Sequence, residues 1–95
     1  MEKEVETVYQ SALIDYISAR KELAEATIEY DKARHTARKE LYDAKESGQR
    51  KMTEEQIRSE SVVKCQSVYE RFTKALATFD IAKERLEFVK VIANH

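Results

Sequence analysis

The sequence predicts an all-α fold of two long antiparallel helices, a helical hairpin with coiled-coil character. Helix breakers are nearly absent, since the 95 residues include one glycine and no proline. Apolar residues recur alternately four and three positions apart over most of the chain, which is typical of packed helices. We therefore expect one helical-hairpin domain over residues 1–95, with a first helix over about 2–46, a turn over 47–52 and a second helix over about 53–93.

The first helix is predicted from a row of small residues beside a row of larger ones. The small row consists of four alanines at seven-residue spacing: Ala12, Ala19, Ala26 and Ala33. The neighbouring row contains Tyr9, Tyr16, Leu23, Tyr30 and Ala37. Because small residues let two helices approach closely, we expect this face to pack against the second helix.

The turn is predicted from signals that end one helix and start another within ten residues. Gly48 can take the left-handed conformation that ends a helix. Thr53 can cap the next helix while Gln56 reaches back to it, which makes a capping box. Met52 can pack on Ile57 as a hydrophobic staple. The short connection makes the two helices antiparallel neighbours.

The second helix repeats the four-and-three spacing of the first. Its predicted contact residues are Cys65, Val68, Phe72, Ala75, Phe79, Ala82, Leu86, Val89 and Ala93. With the turn centred near residues 49 and 50, residue i should face roughly residue 99 minus i. This register sets Tyr30 near Tyr69, and Ala19 near Asp80.

Both helices contain more apolar residues than one contact between two helices can bury. The additional residues are Ile14, Ile17, Ala24, Ile28, Val62, Leu76, Ile81, Phe88 and Ile92. Leaving a large aliphatic side chain exposed rather than buried costs about 1.5–3 kcal/mol, and two helices have no third layer to cover it. We therefore expect a homo-oligomer, most simply an antiparallel dimer forming a four-helix bundle, or a larger assembly. The alternative is that a different protein covers these residues.

Charge is unevenly distributed along the sequence although the net charge is only −1. Residues 1–31 contain eight acidic and three basic residues, whereas residues 32–51 contain seven basic and three acidic ones. The basic segment and an aromatic residue within it form a candidate site for single-stranded DNA: Lys32, Arg34, Arg38, Lys39, Tyr42, Lys45, Arg50 and Lys51. Cations bind phosphates and an exposed aromatic ring can stack on bases. The alternative is that these cations only solvate the helix and pair with Glu40, Asp43 and Glu46.

No pattern in the sequence indicates catalysis, a metal site or a cofactor, and we expect none of them. His35 lies among cations that would repel a metal ion, and Cys65 falls among apolar residues, where cysteine is usually a small buried hydrophobe. The longest apolar runs are far below the roughly 20 residues needed to span a bilayer, so no membrane contact is expected. The start of the chain lacks a signal-peptide pattern and Cys65 is the one cysteine, which together favour the cytoplasm.

The order of features along the chain resembles that of a class of phage proteins. A charged helix with Tyr30 and several Ala and Arg residues, a turn, the run Thr53-Glu54-Glu55, and a second helix through Tyr69, Leu86 and Phe88 are similar to small helical hairpins encoded in tailed-phage recombination and replication clusters. Some of those proteins resemble recombination mediators, which oligomerise, bind single-stranded DNA, and help to load a recombinase or displace a single-strand-binding protein. The resemblance implies such a role in the host cytoplasm, with a recombinase or single-strand-binding protein as partner.

Two other kinds of helical hairpin share only the general shape. Secreted hairpins of the WxG type have about this length, but they place Trp-x-Gly in the turn, and this chain has Ser47-Gly48-Gln49 there and no tryptophan. The second kind comprises adaptor and chaperone hairpins, which have the same general shape. A protein-only adaptor or chaperone-like module that binds a partner helix is the alternative function.

Overall fold

A computed structural model describes the backbone from Glu2 to Asn94 and the side chains from Lys3 to Asn94. Over these residues the chain forms three helices and no strand: α1 (Glu2–Glu46), α2 (Glu54–Lys64) and α3 (Gln66–Ala93). The two long helices, α1 and α3, pack against each other. The predicted all-α class and helical hairpin are confirmed.

The end of α1 is fixed by the glycine that the sequence indicates. Gly48 has φ of 77°, the left-handed conformation. Its N–H donates to the carbonyl of Lys45 at 3.2 Å, and the N–H of Gln49 donates to the carbonyl of Ala44 at 3.1 Å. This pair of bonds is a Schellman motif, which satisfies carbonyls that would otherwise lack donors at the end of α1.

The start of α2 shows the predicted capping box. The Thr53 hydroxyl accepts from the Gln56 N–H at 3.2 Å, and the Gln56 side chain accepts from the Thr53 N–H at 3.0 Å. Met52 packs with Ile57 and with Leu41 of α1 in one buried cluster. The capping residues therefore start α2, and the staple packs its first turn against α1.

The predicted second helix is interrupted at Cys65, which corrects the expectation of one helix over 53–93. At Cys65 the φ and ψ angles are −101° and 14°. Its N–H is shared between the carbonyls of Ser61 and Val62, at 3.2 and 3.1 Å. Ser61 is buried, and its hydroxyl donates to the Arg58 carbonyl at 2.8 Å. A serine that bonds to the preceding turn often bends a helix, and this bond lies one turn before Cys65.

The chain divides into two compact units, which are described separately. The first, here called the terminal unit, combines the described residues up to Glu25 with those from Thr73 onward. Its core contains buried Ala12, Leu86 and Val89, with Tyr16 packed against them. The Tyr16 and Phe79 rings lie 5.4 Å apart between centroids. The alanines predicted to lie between the two helices are buried at Ala12, Ala19, Ala75 and Ala82. Ala93 is exposed, because it is the last residue of α3.

The second unit, here called the turn unit, comprises Ala26–Phe72. Tyr30 stacks on Phe72 with the ring centroids 5.4 Å apart and lies 5.5 Å from Tyr69. The predicted contact between Tyr30 and Tyr69 is therefore confirmed. Arg71 also donates to Glu29 in the same register.

Candidate nucleic-acid interface and self-association face

Five of the predicted cations lie on the α1 part of the turn unit and form a group that we call the basic arc: Lys32, Arg34, Arg38, Lys39 and Lys45. At 100° per residue, Arg34, Arg38 and Lys45 share one strip of the helix, and Lys32 and Lys39 occupy the next. All are exposed except Arg38, which is half-buried. No acidic side chain among the described residues forms an ion pair with any of the five. The charge of the basic arc is therefore available to an external anion.

Arg34 of the basic arc contacts an aromatic ring. Its guanidinium carbon lies 5.4 Å from the centroid of the Tyr30 ring. Such a cation–π contact contributes about 0.5–1 kcal/mol at an exposed site. Because Tyr30 contacts the rings of both Tyr69 and Phe72, the contact connects Arg34 to the aromatic cluster of the turn unit. Arg34 is thus positioned by the fold rather than by a neighbouring carboxylate.

Tyr42 is not the exposed aromatic ring that the sequence suggests. It is half-buried and packs against the cluster of Leu41, Met52 and Ile57. Its hydroxyl lies 3.4 Å from a carboxylate oxygen of Glu54 and donates to it. The reason is that the residues after the turn fold back along α1 and cover the ring. Base stacking on Tyr42 would require this packing to open.

The turn itself is less basic in the structure than in the sequence. The Arg50 guanidinium donates to both carboxylate oxygens of Glu60, at 2.9 and 2.8 Å. Exposed Lys51 lies beside Arg50 in a polar groove that also contains Glu55. Bidentate pairing holds the Arg50 charge against an acidic side chain. Of the two predicted cations in the turn, Lys51 is the one that forms no ion pair among the described residues.

The side chains predicted to mediate self-association are all exposed: Ile14, Ile17, Ala24, Ile28, Val62, Leu76, Ile81, Phe88 and Ile92. The largest exposed fractions among them are 68% for Ile81, 66% for Phe88 and 65% for Ile14. In the terminal unit, Ile14 and Ile17 lie on the side of α1 turned away from Ala12 and Ala19, at 100° per residue. The hairpin therefore buries the alanine rows between its helices. It leaves the exposed residues named at the start of this paragraph as a second apolar surface in contact with solvent.

Sequence reasoning missed two exposed valines on the second helix. Val63 is 69% exposed and Val91 is 58% exposed. A signal for Val91 was present, because the spacing of Ile81, Glu84, Phe88 and Val91 is three, four and three. No comparable periodic signal singles out Val63.

No metal site or membrane-spanning helix occurs in the part of the chain that the structure describes. Within it, no three His, Cys, Asp or Glu side chains are grouped so as to hold a metal ion. Cys65 is a free, buried cysteine, and His35 is exposed. None of the described helices has a stretch apolar and long enough to cross a bilayer.

Comparisons of the chain with known protein families, with curated proteins and with solved structures find no match. The basic arc and the exposed apolar residues are therefore the features on which a functional proposal rests.

Proposed function

We propose that this chain is a non-enzymatic, self-associating helical hairpin that serves phage-type DNA recombination or replication in the cytoplasm of a host cell. The observation that carries the proposal is the second apolar surface of the terminal unit. Ile14, Ile17, Ile81 and Phe88 are each more than half exposed. Burying one such side chain is worth about 1.5–3 kcal/mol, so a contact that covers several of them stabilises an assembly.

Single-stranded DNA is the ligand that the basic arc fits best. A flexible strand can bring successive phosphates to cations that follow one side of a helix, and it needs no groove of fixed shape. Arg34, Arg38 and Lys39 span a little more than one helical turn and have no acidic partner among the described residues. A single arc of this size binds weakly. Self-association presents several arcs to one strand and raises the affinity through multivalency.

The protein partner in this proposal is a recombinase or a single-strand-binding protein. This part is supported by the resemblance to phage recombination mediators and by the exposed apolar positions outside the terminal unit. Ile28, Val62 and Val63 of the turn unit are each exposed by about half or more. They offer an apolar contact that self-association of the terminal unit does not occupy.

The DNA-binding part of the proposal is tested by removing three charges from the basic arc. We expect the combined variant Arg34→Gln, Arg38→Gln and Lys39→Gln to lose binding to a fluorescent single-stranded oligonucleotide, measured by anisotropy at low salt. Wild-type binding should weaken steeply as salt is raised, because phosphate contacts release counterions. Circular dichroism checks that the variant remains helical.

A matched control removes the same number of charges from α3 in the terminal unit. Lys74, Lys83 and Lys90 are exposed, and their replacement by glutamine should leave most of the binding intact. If the α1 variant binds like the wild type, or if the two variants lose binding equally, the basic arc is not the DNA contact.

The second candidate function is a protein-only adaptor or chaperone-like module that binds a partner helix. It is favoured by the pairing of cations in the turn unit, where Arg50 bonds to Glu60 and Lys64 lies 3.6 Å from Glu40. An adaptor would use the exposed apolar residues and would not need the basic arc. Wild-type protein that assembles but does not bind the oligonucleotide at low salt would favour this function.

A further inference from the structure

The outer sides of α1 and α3 in the terminal unit have matching patterns of exposed residues. On α1 the pattern is Ile14, Ile17, Lys21 and Ala24, spaced three, four and three residues apart. On α3 it is Ile81, Glu84, Phe88 and Val91, with the same spacing. All eight side chains are exposed. Each pattern is a short coiled-coil seam with one charged residue, and the two charges have opposite sign.

We propose that the outer side of α1 in one copy packs antiparallel on the outer side of α3 in a second copy. This inference rests on the self-association proposed above and specifies its contact. Antiparallel pairing gives four layers: Ile14 with Val91, Ile17 with Phe88, Lys21 with Glu84, and Ala24 with Ile81. One register thus pairs the two charges and places a small residue opposite a large one.

The Lys21–Glu84 pair selects this register and this combination of helices. Sliding the helices by one heptad sets Lys21 opposite Ala77 or Val91, which leaves the charge without a partner inside an apolar contact. An α1–α1 contact with the same seam sets Lys21 opposite Ile17 or Ala24. An unpaired charge at such a position is costly, and a single polar residue in a seam is known to specify register and partner. No other described side chain forms an ion pair with Lys21 or Glu84.

The positions of the seams also determine how the assembly grows. On each helix of the terminal unit, we call the row of exposed residues described above the outer seam and the row that packs inside the hairpin the inner seam. The two seams lie roughly 150° apart around the helix axis, at 100° per residue. In a closed bundle of four nearly parallel or antiparallel helices, by contrast, the two faces with which one helix contacts its neighbours lie only about 90° apart around its axis. A contact between α1 of one copy and α3 of the next leaves one α1 seam and one α3 seam free. Such a heterologous contact repeats from chain to chain, so the assembly contains more than two chains.

The test is charge reversal at Lys21 and Glu84 in the full chain, with mass measured by light scattering. Lys21→Glu alone sets two carboxylates against each other, and Glu84→Lys alone sets two ammonium groups together, so each variant should dissociate toward the 11.1 kDa single chain. An equal mixture of the two variants should reassemble, because both contacts between unlike chains are then attractive. The control is Lys83→Glu, which reverses an exposed charge on a side of α3 that faces away from the proposed contact and should assemble like the wild type.

The outcomes separate this inference from the proposed function. Dissociation of both single variants with recovery in the mixture supports the contact, and a wild-type mass above two chains supports its head-to-tail repetition. A wild type that assembles while K21E and E84K assemble equally well overturns this contact and leaves self-association standing. Single variants that dissociate but do not recover on mixing, or a wild-type assembly of only two chains, likewise contradict the head-to-tail arrangement. A monomeric wild type overturns both proposals.

Discussion

Ile57 is the residue most completely enclosed by the turn unit, with 0% of its surface exposed. It packs with Leu41 of α1 and with Met52 before α2, so it connects the two helices at the turn. We expect Ile57→Ala to reduce the free energy of unfolding by about 2–5 kcal/mol, because it removes buried methyl groups and leaves a cavity. Urea denaturation followed by circular dichroism measures the change.

The matched control for Ile57 is the aliphatic Val63 in the same helix, which is 69% exposed. Val63→Ala should change the free energy of unfolding by no more than about 0.5 kcal/mol. Equal effects of the two substitutions would mean that Ile57 is not a core residue.

Single residues near the turn were predictable when their contacts are local in sequence. The left-handed Gly48, the capping box and the pairing of Met52 with Ile57 involve residues at most five positions apart. The burial of Tyr42 and the pairing of Arg50 with Glu60 were not predicted. They depend on which side of α2 faces back toward α1 after the turn, and periodicity alone does not determine that rotation.

At the scale of whole helices, the start of α2 depends on the capping box. We expect Thr53→Ala to reduce the free energy of unfolding by about 0.5–2 kcal/mol, since the Gln56 N–H loses its acceptor. Because the two side chains act together, the double variant with Thr53→Ala and Gln56→Ala should lose less free energy of unfolding than the sum of the two single losses. Chemical denaturation of the two single variants and the double variant measures the coupling. Strictly additive effects would contradict a reciprocal box.

The packing of α1 depends on the small size of its seam alanines. Ala26 is 1% exposed, and Ala26→Leu should reduce the free energy of unfolding by about 1–3 kcal/mol because the added atoms force the neighbouring helix away. Ser18→Leu, at an exposed position of the same helix, serves as the control for adding a leucine. A melting temperature unchanged by Ala26→Leu would place Ala26 outside the helix contact.

The break between α2 and α3 marks the limit of prediction for helices. The apolar spacing continues through Cys65 to Val68 and Phe72, and neither glycine nor proline occurs there, so the sequence favours one continuous helix. The bond of the buried Ser61 hydroxyl to the Arg58 carbonyl lies one turn before the interruption. Serine forms such bonds in many uninterrupted helices, and its presence is therefore a weak signal.

For the whole molecule, the features proposed for DNA binding and for assembly belong to different units. The basic arc lies in the turn unit, whereas the two outer seams lie in the terminal unit. Composition predicted that both a basic segment and surplus apolar residues exist. It did not predict that Arg50 would be paired or that Tyr42 would be covered, because both depend on the rotation of α2 relative to α1. Removing charges from the basic arc should therefore leave assembly intact, whereas breaking the assembly should also weaken DNA binding because multivalency is lost.

We propose that the second apolar surface of the hairpin brings copies of this chain together. The most direct measurement is the molar mass of the wild-type protein by light scattering over a range of concentrations. We predict a mass of several chains, well above the 11.1 kDa of one, at micromolar concentration and above. A mass that stays at 11.1 kDa at every concentration would contradict self-association.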